Sequence, residues 1–136
     1  MERSHTLVYV PTHKSYFDFM VLPYALFAWG LKVPHTVSGQ NLRIPGVQFI
    51  MSRNGAFYIR RTMKGFTDGA VYKAVLQQYV REILLRCLSF CVYAEGGRSR
   101  DGRVQAIKMG LLAYLIDATL DAGLPQPLAF VPCAIR

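Results

Sequence analysis

"VPTHKSYFDF", residues 10–19, runs from the end of an apolar, strand-like segment through a histidine and four further residues to an aspartate set among aromatics. His13 and Asp18 are five positions apart, and on one continuous α-helix that spacing would turn the two side chains roughly 140° away from each other. They can meet only across a bend. With His13 on the turn that closes a strand and Asp18 in the first turns of the helix that follows, the imidazole folds back onto the carboxylate. A strand, a polar turn and a helix in that order form the opening unit of a layered α/β domain.

The rest of the chain repeats the alternation. Strand-like runs appear at "TLVYV", "HTVSG", "AFYIR", "LSFCVYA" and "LAFVPCAI", with helical patterns between them. From about Asp68 to Arg86, Val71, Val75, Tyr79 and Ile83 form one apolar row beside Tyr72, Leu76, Val80 and Leu84. Lys73, Gln77, Gln78, Arg81 and Glu82 lie opposite, and Thr67 or Asp68 stands at the N-cap. A second helix is expected from Ile107 to about Ala122, ending at Gly123 before "LPQP" turns the chain. The expected fold is therefore α/β, a layered domain with a mostly parallel central sheet flanked by helices. Residues 1–136 read as a single catalytic domain, a fragment truncated at both ends. The first strand starts close to Met1 and the last apolar strand stops at Arg136 with no helix to cover it.

A hydrophobic content of 52% in 136 residues is ample for a packed core and argues against disorder. The formal charge of +8, from 16 Lys and Arg against 8 Asp and Glu, favours anionic partners: phosphates, acidic lipid or nucleic acid. The three cysteines Cys87, Cys91 and Cys133 are an odd number without a signal-peptide pattern, which fits free thiols in a reducing compartment. Cys87 and Cys91, separated by "LSF", read as core residues and not as metal ligands. The longest apolar run, Phe19 to Leu31, falls short of the ~20 residues of a membrane span and contains Pro23. It reads first as a buried core helix, with an interfacial helix as the alternative.

Three polar clusters follow strand ends, where ligands gather in parallel sheets. In "THKSYFD", Asp18 can fix the tautomer of His13 and make it a general base; taken alone, the pair reads more readily as a helix-capping aspartate beside an incidental histidine, and its setting among the other clusters changes that balance. In "YIRRTMKG", the adjacent Arg60 and Arg61 cannot share one strand face, so at least one should reach the cleft, where a guanidinium matches phosphate. In "EGGRSRDGR", Gly96 and Gly97 allow a tight turn that presents N–H groups and Arg98 to an anion. Glu95 could hold Arg98 or accept from a substrate hydroxyl. The P-loop lysine and Ser/Thr are missing after Gly102, and there is no G-x-S-x-G elbow. His13 therefore lacks an obvious protein nucleophile, and the hydroxyl it activates belongs to a substrate.

In this order the clusters resemble the four sequence blocks of the glycerolipid acyltransferases, most closely the glycerol-3-phosphate acyltransferase branch. "HKSYFD" is similar to the H-x₄-D block, "GAFYIRR" to the second, "EGGRSR" to the third and "VPCAI" to the fourth, with "SGQNLRIP" also in the wording of that branch. The resemblance implies transfer of a fatty acyl group from acyl-CoA or an acyl carrier protein to the sn-1 hydroxyl of glycerol-3-phosphate, giving lysophosphatidic acid. It makes His13 the base and Asp18 its partner, with Arg60, Arg61, Glu95, Gly96 and Arg98 lining the acceptor site and Pro132 near the acyl or acceptor pocket. It calls for no metal and no cofactor beyond the acyl thioester. It implies a membrane-associated enzyme facing a reducing, cytosol-like compartment, with the remaining segments of a full-length enzyme as partners and no nucleic acid. Dihydroxyacetone phosphate or lysophosphatidic acid are alternative acceptors. A non-catalytic basic module for membrane surfaces or nucleic acid is the competing class; it explains the charge but not His13, Asp18 and Glu95. Oxyanion donors are not located by the sequence, and backbone N–H groups just after His13 are the first candidates.

Overall fold

The computed structural model describes residues 4–15, 17–60, 67–99, 101–120 and 123–135. Strand β1 (Thr6–Pro11) leads into helix α1 (Asp18–Ala28) and then β2 (His35–Gly39). A short 3-10 turn, α2 (Val47–Arg53) and β3 (Phe57–Ile59) follow, then α3 (Gly69–Leu85), β4 (Phe90–Cys91), α4 (Met109–Leu120) and β5 (Leu128–Cys133). The strands form one five-stranded sheet in the order β3-β2-β4-β1-β5, and every pairing is parallel. The expected α/β class with a mostly parallel sheet is the observed one. The chain steps outward from β1 to β2 and β3, then returns to lay β4 between β1 and β2 before β5 closes the far side. That insertion brings the loop after β4 beside the loop after β1.

Strand alternation divides the core in two. Val8, Phe90 and Val92 point to the face covered by α3 and α4, where they meet Val80, Leu84, Leu112 and Leu115. Leu7, Tyr9 and Cys91 point to the opposite face and meet Leu26 of α1. Phe90 is fully buried, and removing a side chain of that size from water contributes roughly 1.5–3 kcal/mol. The β4 ladder is shorter than the run "LSFCVYA" suggests, although the Val92 N–H still donates to the Tyr9 carbonyl at 2.9 Å. Pro132 lies in β5, an edge strand, the one part of a sheet where a missing N–H is tolerated.

Several elements differ from the sequence expectation for physical reasons. In α3, Val80, Ile83 and Leu84 are buried, whereas Val71 and Val75 are exposed. The row Tyr72, Leu76, Val80 and Leu84 is covered along its length, whereas its neighbour Val71, Val75, Tyr79 and Ile83, about 100° round the helix, reaches the core only at Ile83. Asp68 precedes α3 without a side-chain capping bond, its carboxylate being engaged by Arg60. Cys87, expected in the core, is only half-buried. It ends α3 in the left-handed region at φ 53°, with the Cys87 N–H donating to Leu84 and the Leu88 N–H to Ile83, the hydrogen-bond pattern of a Schellman cap without its usual glycine. Helix α4 runs from Met109 to Leu120, shorter than the expected span, whose end near Ala122 lies outside the described residues.

The largest departure is α1, which is not a buried core helix. Only Asp18 and Leu26 are buried along it, while Met20, Tyr24 and Phe27 point outward together with the flanking Phe17 and Trp29. The sheet meets one side of a helix that is apolar on all sides, so the remainder stays on the surface. The helix also continues through Pro23, which removes one ladder hydrogen bond without ending it. Among the described residues, no helix is long and apolar enough to cross a membrane.

Candidate active site

The turn after β1 carries His13, and α1 begins at Asp18, so the bend required by the five-residue spacing is present. The His13 Nδ1 lies 3.1 Å from Asp18 Oδ2. That same oxygen accepts the backbone N–H of Lys14 at 2.6 Å and of Ser15 at 2.8 Å. Burial pushes the Asp18 carboxyl toward a higher pKa, but the hydrogen bonds from Ser15, His13 and Lys14 outweigh it and hold the group below the ordinary value of 3.8. At neutral pH Asp18 is therefore ionised and can only accept. Nδ1 must then carry the hydrogen, which leaves Nε2 of a neutral His13 as the basic nitrogen. The N–H groups of Lys14 and Ser15 are committed to Asp18, which rules them out as the oxyanion donors that the sequence suggested.

The loop after β4 holds His13 from the other side. Glu95 is 5% exposed, and its carboxylate accepts the His13 N–H at 3.0 Å through Oε1 and the Gln105 N–H at 3.0 Å through Oε2. The Ser99 N–H donates to the His13 carbonyl at 2.8 Å, so both backbone polar groups of His13 are tied to the third sequence block. From β5, the Thr12 N–H reaches the Cys133 carbonyl at 2.9 Å, and the Ile135 N–H reaches Thr12 Oγ1 at 3.1 Å. Tyr93 packs its ring 4.5 Å from the imidazole. The contacts that Glu95 makes are with the backbone. Its two oxygens fasten the loop that carries His13, and it is not among the residues that line the cleft.

A cleft of about 500 Å³ opens at the carboxyl ends of the strands, and His13, Arg60, Gly96 and Arg98 all line it. Arg60 stands just beyond β3. Its Nη1 lies 2.9 and 3.0 Å from the two Asp68 oxygens, its guanidinium sits 4.8 Å over the Tyr72 ring, and its N–H donates to Tyr72 Oη at 2.9 Å. Arg98 is exposed at the cleft, whereas Arg61 lies outside the described residues. Gly96 adopts φ 62°, as its tight turn requires, but its N–H donates to the Tyr93 carbonyl at 2.9 Å and so faces the protein instead of an anion. Pro132 is exposed on β5 and does not line this cleft. Tyr93 and Lys108, which also line the cleft, were read from the sequence only as parts of a strand-like run and of a helix. Tyr93 could have been found from strand alternation, since it shares the Cys91 face on which His13 rests; Lys108, in an irregular stretch before α4, carried no such signal.

Two consequences are measurable. Glu95→Gln keeps one acceptor oxygen but loses the other, so the full-length protein is expected to lose about 1–3 kcal/mol of stability in denaturant titrations. Loss of substrate affinity without loss of stability would contradict the role of Glu95 as a fastener. For Asp18, a folded pKa below 3.8 means that its contribution to stability is complete at neutral pH and disappears as the pH falls through the lower folded value. The unfolding midpoints of wild type and Asp18→Asn should therefore differ most at pH 7 and converge in strong acid; a constant gap at all pH values would contradict the ionised acceptor.

The acyltransferase family model matches residues 1–136. The chain is 43% identical over 123 residues to a glycerol-3-phosphate acyltransferase of Xanthomonas axonopodis pv. citri, covering 90% of this chain and 13% of that protein. It is 38% identical over 133 residues to the enzyme of the same name from Pseudoalteromonas translucida, covering 98% and 16%. The chain thus spans about one-seventh of the length of these curated relatives. In three dimensions it is similar to the 1-acyl-sn-glycerophosphate (LPA) acyltransferase PlsC from Thermotoga maritima, with a TM-score of 0.56 and 18% identity over 97% of this chain and 54% of that one, a likeness of fold. A family match over the whole chain coincides with a histidine and aspartate joined at the mouth of a basic cleft, and on that match this chain belongs to the acyltransferase family.

Proposed function

We propose that this chain is the catalytic domain of a glycerol-3-phosphate acyltransferase, moving a fatty acyl group from acyl-CoA or acyl carrier protein to the sn-1 hydroxyl. The observation that carries the reading is the His13–Asp18 pair opening onto a cleft that also holds Arg60 and Arg98. The names of the relatives supply the acceptor. His13 Nε2 takes the hydroxyl proton as the alcohol oxygen bonds to the thioester carbonyl carbon. The tetrahedral intermediate then expels the thiolate, which recovers the proton from the imidazolium. The products are an ester and a free thiol, and His13 returns to its neutral tautomer. Asp18 keeps Nδ1 protonated and stabilises the charged ring between the two proton transfers. This route passes through no acyl-enzyme and uses no cofactor beyond the thioester.

A general base typically supplies about 10²- to 10⁴-fold in rate. His13→Ala in the full-length enzyme should therefore lower turnover by about 10²-fold or more with the unfolding midpoint little changed. Thiol release measured with glycerol-3-phosphate, dihydroxyacetone phosphate or lysophosphatidic acid as acceptor separates the candidate substrates. Equal turnover by the folded His13→Ala protein would end the mechanism, and preference for another acceptor would replace glycerol-3-phosphate.

The same reading puts the enzyme on a lipid surface, in contact with a reducing, cytosol-like compartment. In its support, Tyr24 and Phe27 of α1 are 73% and 71% exposed and Trp29 just beyond is 74% exposed. Lys14 and Lys32 are exposed at the two ends of the helix, and the chain carries a net charge of +8, which complements acidic headgroups. Flotation with vesicles containing acidic phospholipid should fall several-fold when Tyr24, Phe27 and Trp29 are all changed to Ser. Unchanged flotation would remove α1 from the membrane contact.

A further inference from the structure

Lys108 reaches the cleft by an unusual path. Its backbone N–H donates to the Ala94 carbonyl at 2.8 Å, which lays the segment before α4 alongside the loop after β4. Its side chain then crosses directly over Gly96. A Cβ added at Gly96 would stand 2.7 Å from Lys108 Cδ and 3.3 Å from Nζ, so the stem occupies the space that any side chain at position 96 would need. Two demands therefore meet at Gly96, a φ of 62° and room for the lysine. The crossing brings the ammonium to the same cleft as His13 and Arg98.

The charges around it make this placement informative. Arg60 already faces the Asp68 carboxylate at 2.9 and 3.0 Å, so much of its charge is balanced within the protein. No carboxylate is among the described residues that line the cleft. Lys108 also directly precedes Met109, the first residue of α4, and Gly110 of that helix lines the cleft. A cation at a helix N-terminus is electrostatically unfavourable by itself, whereas an anion beside both would be favoured by the lysine and by the helix dipole together.

We propose that Lys108 is a binding and positioning residue for the acceptor, its ammonium donating to a phosphate oxygen while Arg98 holds the same group from the neighbouring loop. Gly96 serves as the saddle that admits the lysine stem. The inference rests on the proposed acceptor being a phosphate monoester. Phosphate groups of the acyl carrier are the other source of the same chemistry, and kinetics distinguish the two.

In the full-length enzyme, Lys108→Met should raise the KM for glycerol-3-phosphate about tenfold or more, with kcat and the acyl-CoA KM nearly unchanged, because the contact is lost equally from ground and transition states. Lys108→Arg should restore part of the affinity. Gly96→Ala should raise the same KM, because it crowds the lysine stem and strains a backbone held at φ 62°. An unchanged glycerol-3-phosphate KM in Lys108→Met, or a rise confined to the acyl-CoA KM, overturns the proposal. If the wild-type enzyme fails to use glycerol-3-phosphate, the functional reading fails first, and calorimetry with inorganic phosphate decides the lysine separately. Weaker phosphate binding by Lys108→Met than by wild type would support its anion contact, and equal binding would overturn it.

Discussion

One carboxylate oxygen, Asp18 Oδ2, gathers three hydrogens: two from the backbone just before it and one from His13. Such a cluster keeps the carboxylate ionised although it is buried, because charge-assisted hydrogen bonds replace the water it has lost. An ionised acceptor settles the tautomer of the imidazole, and the tautomer decides which nitrogen can work as a base. It also shapes the turn between β1 and α1, since two of the three donors are main-chain groups of that turn. Geometry, protonation and backbone course are thus consequences of a single site.

The second constraint is topological. Because β4 lies between β1 and β2, its following loop arrives against the His13 turn, and Glu95 and Ser99 there bind the His13 backbone on both sides. Glu95 is buried and doubly hydrogen-bonded, the condition under which a carboxylate in an interior is tolerable. The same loop carries Gly96 and Arg98 to the cleft. One segment therefore fastens the imidazole and brings a guanidinium to the same cleft, which couples their positions.

The cleft mixes charge with apolar surface, since Phe19, Leu42, Ile59 and Leu111 line it beside Arg60, Arg98 and Lys108. Its charge is basic, and α1 presents Met20, Tyr24 and Phe27 away from the sheet.

Much was legible in the sequence alone. Alternating strand and helix patterns implied the parallel α/β layers, and the five-residue spacing of His13 and Asp18 demanded a bend between strand and helix, because both are local properties set by side-chain period and helix geometry. The tertiary structure alone decided what each polar group meets. Glu95 turned inward to two backbone amides, Arg60 found Asp68, Pro132 stayed on an outer edge, α1 kept most of its apolar surface outside, and Lys108 came across Gly96 into the cleft. Those outcomes depend on which strand is inserted beside which and on how much surface each helix finds beneath it, and neither quantity is written in the period of a single segment.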